Sequence, residues 1–369
     1  MSKIILTGAH FTTAVATIQE LKKYPEVELV YVGRRTTMEG DQTKSVESQI
    51  LPSLGVKFIP IITGRLQRSF TPYTIPSLLK IPIGFIQAFK ILLQEKPDVV
   101  VSFGGYVALP LVICAWVLSI PILIHEQTLV TGLANKISSL FADKIAVSFR
   151  QNLKTEGKYI LTGNPIREVF KSNHKNIGEE YKNFFNFAKR AHLPIVVVTG
   201  GNQGSHFINQ LIEERLSSLL KFCCIIHQTG DSKYQDFERL EKFSTPWFLV
   251  KKFINEEIGV VFKSADLVIT RAGANTLLEL AYLGKPALTI PIPYLYQDEQ
   301  TKNAEFFQKL GLCQIIWQKE ASGEVLEETI KKSLKNLASL TKSAQVAKEV
   351  VIPDSEKRLA LEIILLGRS

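Results

Sequence analysis

The stretch DLVITRAGANTLLELAYLGKPALTIPIPYLYQDEQTKNA, from Asp266 to Ala304, decides the fold. Leu267 to Thr270 reads as a strand, the small-residue turn Arg271-Ala272-Gly273-Ala274 follows, and a helix runs from about Asn275 to Leu283. Ala287 to Ile290 is a second strand, opening into Pro291-Ile292-Pro293 with the polar cluster Gln297-Asp298-Glu299-Gln300 beyond. A helix that starts straight after such a turn presents unpaired N–H groups and a partial positive charge, so it holds a phosphate well. Glu279, one turn in, stands where a carboxylate accepts hydrogen bonds from sugar hydroxyls. Together these features suggest a nucleotide-sugar site. An ordinary βαβ unit, with small residues for close packing, is the plainer alternative.

Outward from this stretch, strand-like runs alternate with helical periodicity. The first series is Ile4–Leu6, Leu29–Val32, Phe58–Ile62, Val99–Phe103, Ile122–Ile124 and Lys144–Val147. The second is Ile195–Val198, Cys223–His227, Trp247–Val250, Leu267–Thr270 and Ala287–Ile290. Such alternation implies parallel sheets with helices on both faces, and two series imply two Rossmann-like domains. The chain of 369 residues exceeds what one core usually supports. Gly163-Asn164-Pro165 interrupts the pattern, so the domains are read as 1–162 and 163–350, with a helix in 351–369 packing back toward the first. The polar segment Lys171 to Lys189 reads as a surface helix or loop.

Ligands of open α/β sheets bind outside the carboxyl ends of the strands. Three small-residue turns fall there: Thr7-Gly8-Ala9-His10, Gly200-Gly201-Asn202-Gln203-Gly204 and Arg271-Ala272-Gly273-Ala274. The expectation is that they line a shared interdomain cleft. A dinucleotide enzyme would show G-x-G-x-x-G in the first turn and an acidic residue ending the second strand. Here Gly33-Arg34-Arg35 ends that strand, so a NAD site is disfavoured. With no Asp-x-Asp and no His/Cys cluster of ligand spacing, no metal site is expected.

A hydrophobic fraction of 46% and a charged fraction of 21% describe a folded globular chain. The four cysteines, Cys114, Cys223, Cys224 and Cys313, form no C-x-x-C pair and read as reduced, buried thiols of a cytosolic protein. Met1-Ser2-Lys3 leads directly into Ile4-Ile5-Leu6, without the pattern of a signal peptide. Val99 to Ile124 is uncharged and longer than the ~20 residues that span a bilayer. Gly104-Gly105, Pro110 and Pro121 divide it, however, into a buried strand–helix–strand unit.

The net charge of +9 matters for its distribution. No acidic residue lies between Glu47 and Glu95, whereas Lys57, Arg65, Arg68, Lys80 and Lys90 do, among Phe70, Tyr73, Ile75, Leu78, Leu79, Ile81, Ile83, Phe85 and Ile86. Basic side chains around aliphatic ones suit an anionic membrane surface, at ~1 kcal/mol per Lys or Arg. The patch read this way is Arg65, Arg68, Ile75, Leu79, Lys80 and Phe85. A nucleic-acid partner is disfavoured because the segment offers no aromatic stacking platform. A solvated basic face is the structural alternative.

Several segments resemble one bacterial family. They are KPDVVVSFGGYVALP (Lys96 to Pro110), HEQTLVTGLANK (His125 to Lys136), LTGNPIR (Leu161 to Arg167), TGGNQGSHFIN (Thr199 to Asn209), TRAGANTLLELAYLGKPAL (Thr270 to Leu288) and DEQTKNA (Asp298 to Ala304). They are similar, in order and over nearly the whole chain, to the membrane-associated N-acetylglucosaminyltransferases of glycosyltransferase family 28, which convert lipid I to lipid II. The resemblance implies a GT-B fold, α/β with two Rossmann-like domains whose parallel sheets face an interdomain cleft. It implies inverting transfer of GlcNAc from UDP-GlcNAc to undecaprenyl-diphosphoryl-MurNAc-pentapeptide, without an essential metal, at the cytoplasmic membrane face. Roles in peptidoglycan synthesis, cell shape and cell division follow from it.

Carried over by position, the donor site comprises Ile254 at the uracil, Glu279 at the ribose and the turn Ala272, Gly273, Ala274, Asn275, Thr276, Leu277 at the diphosphate. Asn202, Arg167 and Gln300 belong to it as well, with Thr7, Gly8, Ala9 and Thr128 from the first domain. Gly104, Gly105, Tyr106 and Asn135 would meet the acceptor. His10 and Glu126 are both candidates for the base that deprotonates the acceptor 4-hydroxyl. A helix-start histidine bonded to backbone, and a buried carboxylate partnering His125 or an amide, are the structural alternatives.

The chain departs from the family at Ala9 (for Gly), Thr13 (for Pro), Thr128 (for Asn) and Asn202 (for Ser). An alanine is awkward where φ is positive or where a diphosphate approaches closely. Other readings are another GT-B enzyme, such as a glycolipid glycosyltransferase or a UDP-GlcNAc 2-epimerase, and a weakly active UDP-GlcNAc-binding membrane scaffold. Oligomeric state is not legible.

Overall fold

The computed structural model describes residues 2–35, 45–64, 74–155, 157–172, 177–201, 204–231 and 234–368. The chain divides into two compact units, Met1–Arg167 with Ile352–Ser369, and Glu168–Val351.

In the first unit the strands are β1 (Ser2–Thr7), β2 (Val27–Gly33), β3 (Lys57–Pro60), β4 (Val99–Ser102), β5 (Ile122–Glu126), β6 (Lys144–Val147) and β7 (Tyr159–Leu161). They form one sheet in the order β3-β2-β1-β4-β5-β6-β7, every pairing parallel. Side chains of a strand alternate between faces. Accordingly Ile4, Leu6, Val99 and Val101 enter one core cluster, while Ile5 and Val100 enter another on the opposite face. Helix Phe11–Leu21 supplies Ala14, Ile18 and Leu21 to the first cluster, and helix Ser355–Leu366 supplies Leu359, Ala360, Ile363 and Ile364. At about 1.5–3 kcal/mol for each buried Leu or Ile side chain, Leu359, Ile363 and Ile364 anchor this helix to the unit. Ser355 Oγ donates to Asn164 O at 2.7 Å, and Lys144 pairs with Glu362 at 2.6 Å.

In the second unit β8 (Ile195–Thr199), β9 (Cys224–Gln228), β10 (Phe248–Lys251), β11 (Leu267–Thr270), β12 (Ala287–Thr289) and β13 (Cys313–Ile315) form a sheet in the order β10-β9-β8-β11-β12-β13, again parallel throughout. Ser205 caps helix His206–Leu219 by accepting from Ile208 N at 3.3 Å. Helix Ala274–Leu283 ends at Gly284, whose φ of 65° is the left-handed conformation that favours glycine. Both sheets reverse direction of growth at their centre, between β1 and β4 in one and between β8 and β11 in the other. These are the switch points where open α/β sheets bind ligands.

Val99 to Ile124 is a strand, helix Leu109–Val117 and a strand, and among the described residues no helix is long and apolar enough to cross a membrane. Two expectations need correction. The sequence pattern missed β7 and β13, three-residue strands at sheet edges, too short to announce themselves. The join falls five residues later than the expected 162/163 boundary. Residues 163–167 stay with the first unit because Gly163 N donates to Val147 O and Gly163 abuts Ile352 and Ser355. Lys171 to Lys189 includes most of helix Glu179–Ala191, while residues 173–176 lie outside the described residues.

Candidate functional site

In the first unit, three loops meet at the carboxyl ends of β1, β4 and β5. Gly8 has a φ of +143°, and a Cβ there would lie 2.7 Å from Phe103 C, so only glycine fits. Ala9 N donates to Gly104 O at 2.9 Å, tying the first turn to the second. Ala9 has no positive φ, so its side chain brings no backbone strain. Gly104 and Gly105 are both left-handed, with φ of +73° and +81°. Thr7 is fully buried, and its Oγ1 has no hydrogen-bond partner among the described residues.

His10 precedes helix Phe11–Leu21 without capping it through its side chain. Burial, and secondarily the nearby His125, push its imidazole down to about 4, so it is neutral near pH 7. His125 is itself pushed down to about 4 by burial, against an opposing hydrogen bond with Gly163 O at 3.1 Å from Nε2. The neutral tautomer that donates from Nε2 leaves Nδ1 as an acceptor, and Nδ1 has no partner among the described residues.

Glu126 is buried at the end of β5, and its carboxylate is firmly held. Oε1 accepts from Thr128 N at 3.2 Å and from Thr128 Oγ1 at 2.8 Å, and Oε2 accepts from Asn135 Nδ2 at 3.0 Å. Thr128 Oγ1 also lies 2.7 Å from Val130 O, so its hydroxyl serves its own loop. Asn135 Oδ1 is buried without a partner among the described residues and sits 2.9 Å from where a Cβ on Gly104 would be. Tyr106 Oη accepts from Arg34 Nη1 at 2.7 Å. Arg167 is half-buried beyond the Gly163-Asn164 segment that His125 anchors. Thr7, Gly8, Ala9, His10, Gly104, Gly105, Tyr106, Glu126, Thr128 and Asn135 thus share one end of one sheet.

In the second unit the turns after β8 and β11 flank the switch point. A Cβ on Gly201 or on Gly273 would meet nothing within 4 Å, so both glycines border open space. Gly273 begins helix Ala274–Leu283 with no side-chain cap, leaving the first-turn amides to an external acceptor. Glu279 is buried on that helix, as is Leu277, whose side chain is wholly in the core. Asn275 and Thr276 are half-buried. Ile254 N donates to Gln228 Oε1 at 3.0 Å, so this amide is engaged within the protein. Gln300 Oε1 accepts from Ile292 N at 3.0 Å and fixes the proline loop. Asn202 lies outside the described residues.

Several contributors were not identified from sequence. Arg271 is 8% exposed, and its guanidinium donates to Ser205 Oγ (3.0 Å), Ile290 O (2.8 Å) and Gln318 Oε1 (2.8 Å). Burial pushes it down to about 10, which still leaves it cationic at neutral pH, directly behind the glycine turn. Asn303 Nδ2 donates to Ala272 O at 3.1 Å and supports the same turn. Gln228 Nε2 reaches Thr199 Oγ1 and Gly201 O, fixing the other turn. Arg271 and Asn303 stand in quoted motifs, which was the available signal; Gln228 carried none.

The proposed membrane patch separates under helical periodicity. On helix Thr74–Glu95, Leu79, Ile83, Ile86 and Leu93 are exposed, at 69%, 44%, 58% and 50%. Trp116, Val117 and Leu140 are further exposed apolar residues of this unit. Lys80 is half-buried. Phe85 is corrected: it packs against the core formed with Leu111 and Ile124. Arg65 and Arg68, and the Ile75 side chain, lie outside the described residues. No group of three or more His, Cys, Asp or Glu able to hold a metal occurs among the described residues.

Residues 5–147 match the Glycosyltransferase family 28 N-terminal domain and residues 195–359 the Glycosyltransferase family 28 C-terminal domain. The crystal structure of Acinetobacter baumannii MurG superposes with a TM-score of 0.70 at 25% identity, covering 99% of this chain and 100% of that one. A UDP-GlcNAc 2-epimerase from Neisseria meningitidis shares the fold at 14% identity, with a TM-score of 0.64 and coverage of 99% and 100%. Two parallel sheets with flanking helices, together with these matches, define a glycosyltransferase of the GT-B class.

A Clostridium botulinum relative is 34% identical over 333 residues, 88% of this chain and 89% of its own. One from Clostridium perfringens is 33% identical over 357 residues, 94% of each. Both are called UDP-N-acetylglucosamine--N-acetylmuramyl-(pentapeptide) pyrophosphoryl-undecaprenol N-acetylglucosamine transferase. The chain belongs to that family of transferases.

Proposed function

We propose that the chain transfers GlcNAc from UDP-GlcNAc, with inversion, to the 4-hydroxyl of MurNAc in undecaprenyl-diphosphoryl-MurNAc-pentapeptide. The observation that carries this reading is the open switch point of the second unit, where Gly201 and Gly273 border free space and Arg271 lies behind them. An amide-lined helix start with a buried guanidinium suits a diphosphate. The leaving UDP would have its charge met by those groups, so no essential metal is required in this reading. Glu279 would hold the ribose, and Gln300 and Arg167 the sugar end. The uracil would meet the carbonyl of Ile254, because its amide already donates to Gln228.

The acceptor would bind at the first unit's turns through Gly104, Gly105, Tyr106 and Asn135. His10 is the better base in this reading. Its ring has no hydrogen-bond partner among the described residues, and it is neutral. Glu126 is already held by donors from Thr128 and Asn135, so we assign it, with Thr128, to shaping the loop. The exposed face Leu79, Ile83, Ile86 and Leu93, with Lys90 beside it, supports resting on the cytoplasmic face of a membrane.

The test is UDP release by purified protein given UDP-GlcNAc, with and without a lipid I analogue. Release that depends on the acceptor supports the proposal, and acceptor-independent chemistry opposes it.

A further inference from the structure

The second unit holds a cleft of about 270 Å³ between the segments that follow β12 and β13, set apart from the turns after β8 and β11. Ile316 N donates to Thr289 O at 2.9 Å, so the chain stays extended past β13, and the Ile316 side chain enters the core. Neighbouring side chains of an extended segment face opposite ways. Trp317 accordingly lines the cleft, together with Pro291 and Pro293 of the proline loop. Glu320 N donates to Trp317 O at 2.8 Å and closes the segment into a turn. Thr301, in the first turn of helix Glu299–Lys309, and Gln318 add polar groups to the lining. Lys319 and Glu320 pair at 3.6 Å on the exposed rim, so the rim carries no net charge to draw an ion.

The volume is just under the ~300–1,000 Å³ of sites for drug-sized ligands, which leaves room for one ring rather than a nucleotide. An indole and two prolines present apolar faces, and the polar groups stand beside them. A pyranose has the matching form, with C–H groups on its faces and hydroxyls around its edge. Gln318 joins the cleft to the donor turn. Its Oε1 accepts from Arg271 Nη1 at 2.8 Å, and its Nε2 has no hydrogen-bond partner among the described residues. A ligand hydroxyl that accepts from Nε2 polarises the amide, makes Oε1 a stronger acceptor and holds the guanidinium in place.

We propose that this cleft is a second saccharide subsite, which takes one neutral pyranose ring against Trp317 and transmits its occupancy through Gln318 to Arg271. It is separate from the sugar carried on UDP and goes beyond the reaction proposed above, resting on it only for UDP as the ligand of the donor turn. A free amino sugar and the end of a glycan present the same ring, so the experiment includes both.

Trp116 and Trp247 are the other two tryptophans, so Trp116→Phe with Trp247→Phe leaves Trp317 as the single fluorophore. This chain is titrated with GlcNAc, with its β-1,4-linked dimer and with cyclohexanol, a ring that lacks the hydroxyl edge. At least one saccharide should change Trp317 emission with a Kd on the order of 1 mM. A response to the dimer alone assigns the end of a glycan, and a response to GlcNAc assigns the free sugar. Saturating saccharide should tighten UDP, read by calorimetry, by about fivefold. Trp317→Ala in the otherwise unaltered chain should raise the saccharide concentration needed for this effect by at least about tenfold, and Trp317→Tyr should recover part of the loss. UDP affinity without saccharide should stay unchanged in both, which reports an intact unit. Gln318→Leu in the single-tryptophan chain should keep the emission change but make UDP affinity indifferent to saccharide. An absent emission change, equal binding of cyclohexanol, or an unshifted saccharide requirement in Trp317→Ala overturns the subsite. UDP tightening that survives Gln318→Leu overturns the route through Arg271. Failure of the unaltered protein to bind UDP would remove the donor reading instead, and the Trp317 emission change alone would then decide the subsite.

Discussion

The methyl of Ala9 lies 2.5 Å from the point where a Cβ on Gly105 would stand. The two residues therefore share one space at the meeting of the first and second turns, and the alanine fits because its partner has no side chain. Gly105→Ala should destabilise the first unit by roughly 1–3 kcal/mol from its φ of +81° alone, with steric conflict added. Ala9→Gly in the same chain should restore the steric part. A double-mutant cycle in urea reads this coupling, and strict additivity of the two changes would contradict it.

The division of labour between His10 and Glu126 has separable consequences. His10→Ala should lower kcat by about 10²–10⁴-fold, the usual range for removing a general base, with UDP-GlcNAc affinity unchanged. Glu126→Gln should instead disturb the Thr128 and Asn135 contacts and lower thermal stability along with activity. Single-turnover rates beside melting curves test this, and a fully active His10→Ala would reassign the base.

Removal of Arg271 leaves Ser205 Oγ, Ile290 O and Gln318 Oε1 without their donor. Arg271→Met should cost about 1–3 kcal/mol of stability for each acceptor left dry and should weaken UDP binding. Arg271→Lys, which keeps the charge but not the three-way geometry, should recover UDP binding in part. Calorimetry with UDP and urea unfolding measure the two effects, and unchanged UDP affinity in Arg271→Met would remove the residue from the donor site.

Acid sensitivity follows from the buried histidines. His125 and His227 are fully buried, and burial pushes them down to about 4 and about 3. Between the ordinary histidine value near 6.5 and those values, the unfolded chain binds protons that the folded one refuses. Stability is therefore lost as pH falls from ~6.5 to ~4, at up to ~1.4 kcal/mol per pH unit for each histidine. Urea midpoints over this range should fall, and His227→Gln should flatten the slope. A pH-independent midpoint would contradict the buried neutral assignment.

Legibility from sequence followed burial. β4 and β11 are buried along their whole length, so continuous apolar runs announced them. β7 and β13 lie at edges and lack such runs. The basic–aliphatic segment was readable as one composition, but helical spacing turns Phe85 inward while leaving Leu79 and Ile86 outside. Glycine turns were visible as residue types at strand ends. Their supports were not, because Gln228 and Asn303 act on Gly201 and Ala272, distant in sequence, and no local period records such a bond. For the same reason Thr128 reads by position as a donor contact, although its hydroxyl faces Glu126.

The most direct test follows the sugar itself. Protein, UDP-GlcNAc labelled in the sugar, and a lipid I analogue in vesicles should yield label in the lipid fraction, β-linked to MurNAc, with one UDP released per transfer. Label remaining on the nucleotide, appearing as free or epimerised sugar, or entering lipid without UDP release would contradict the account.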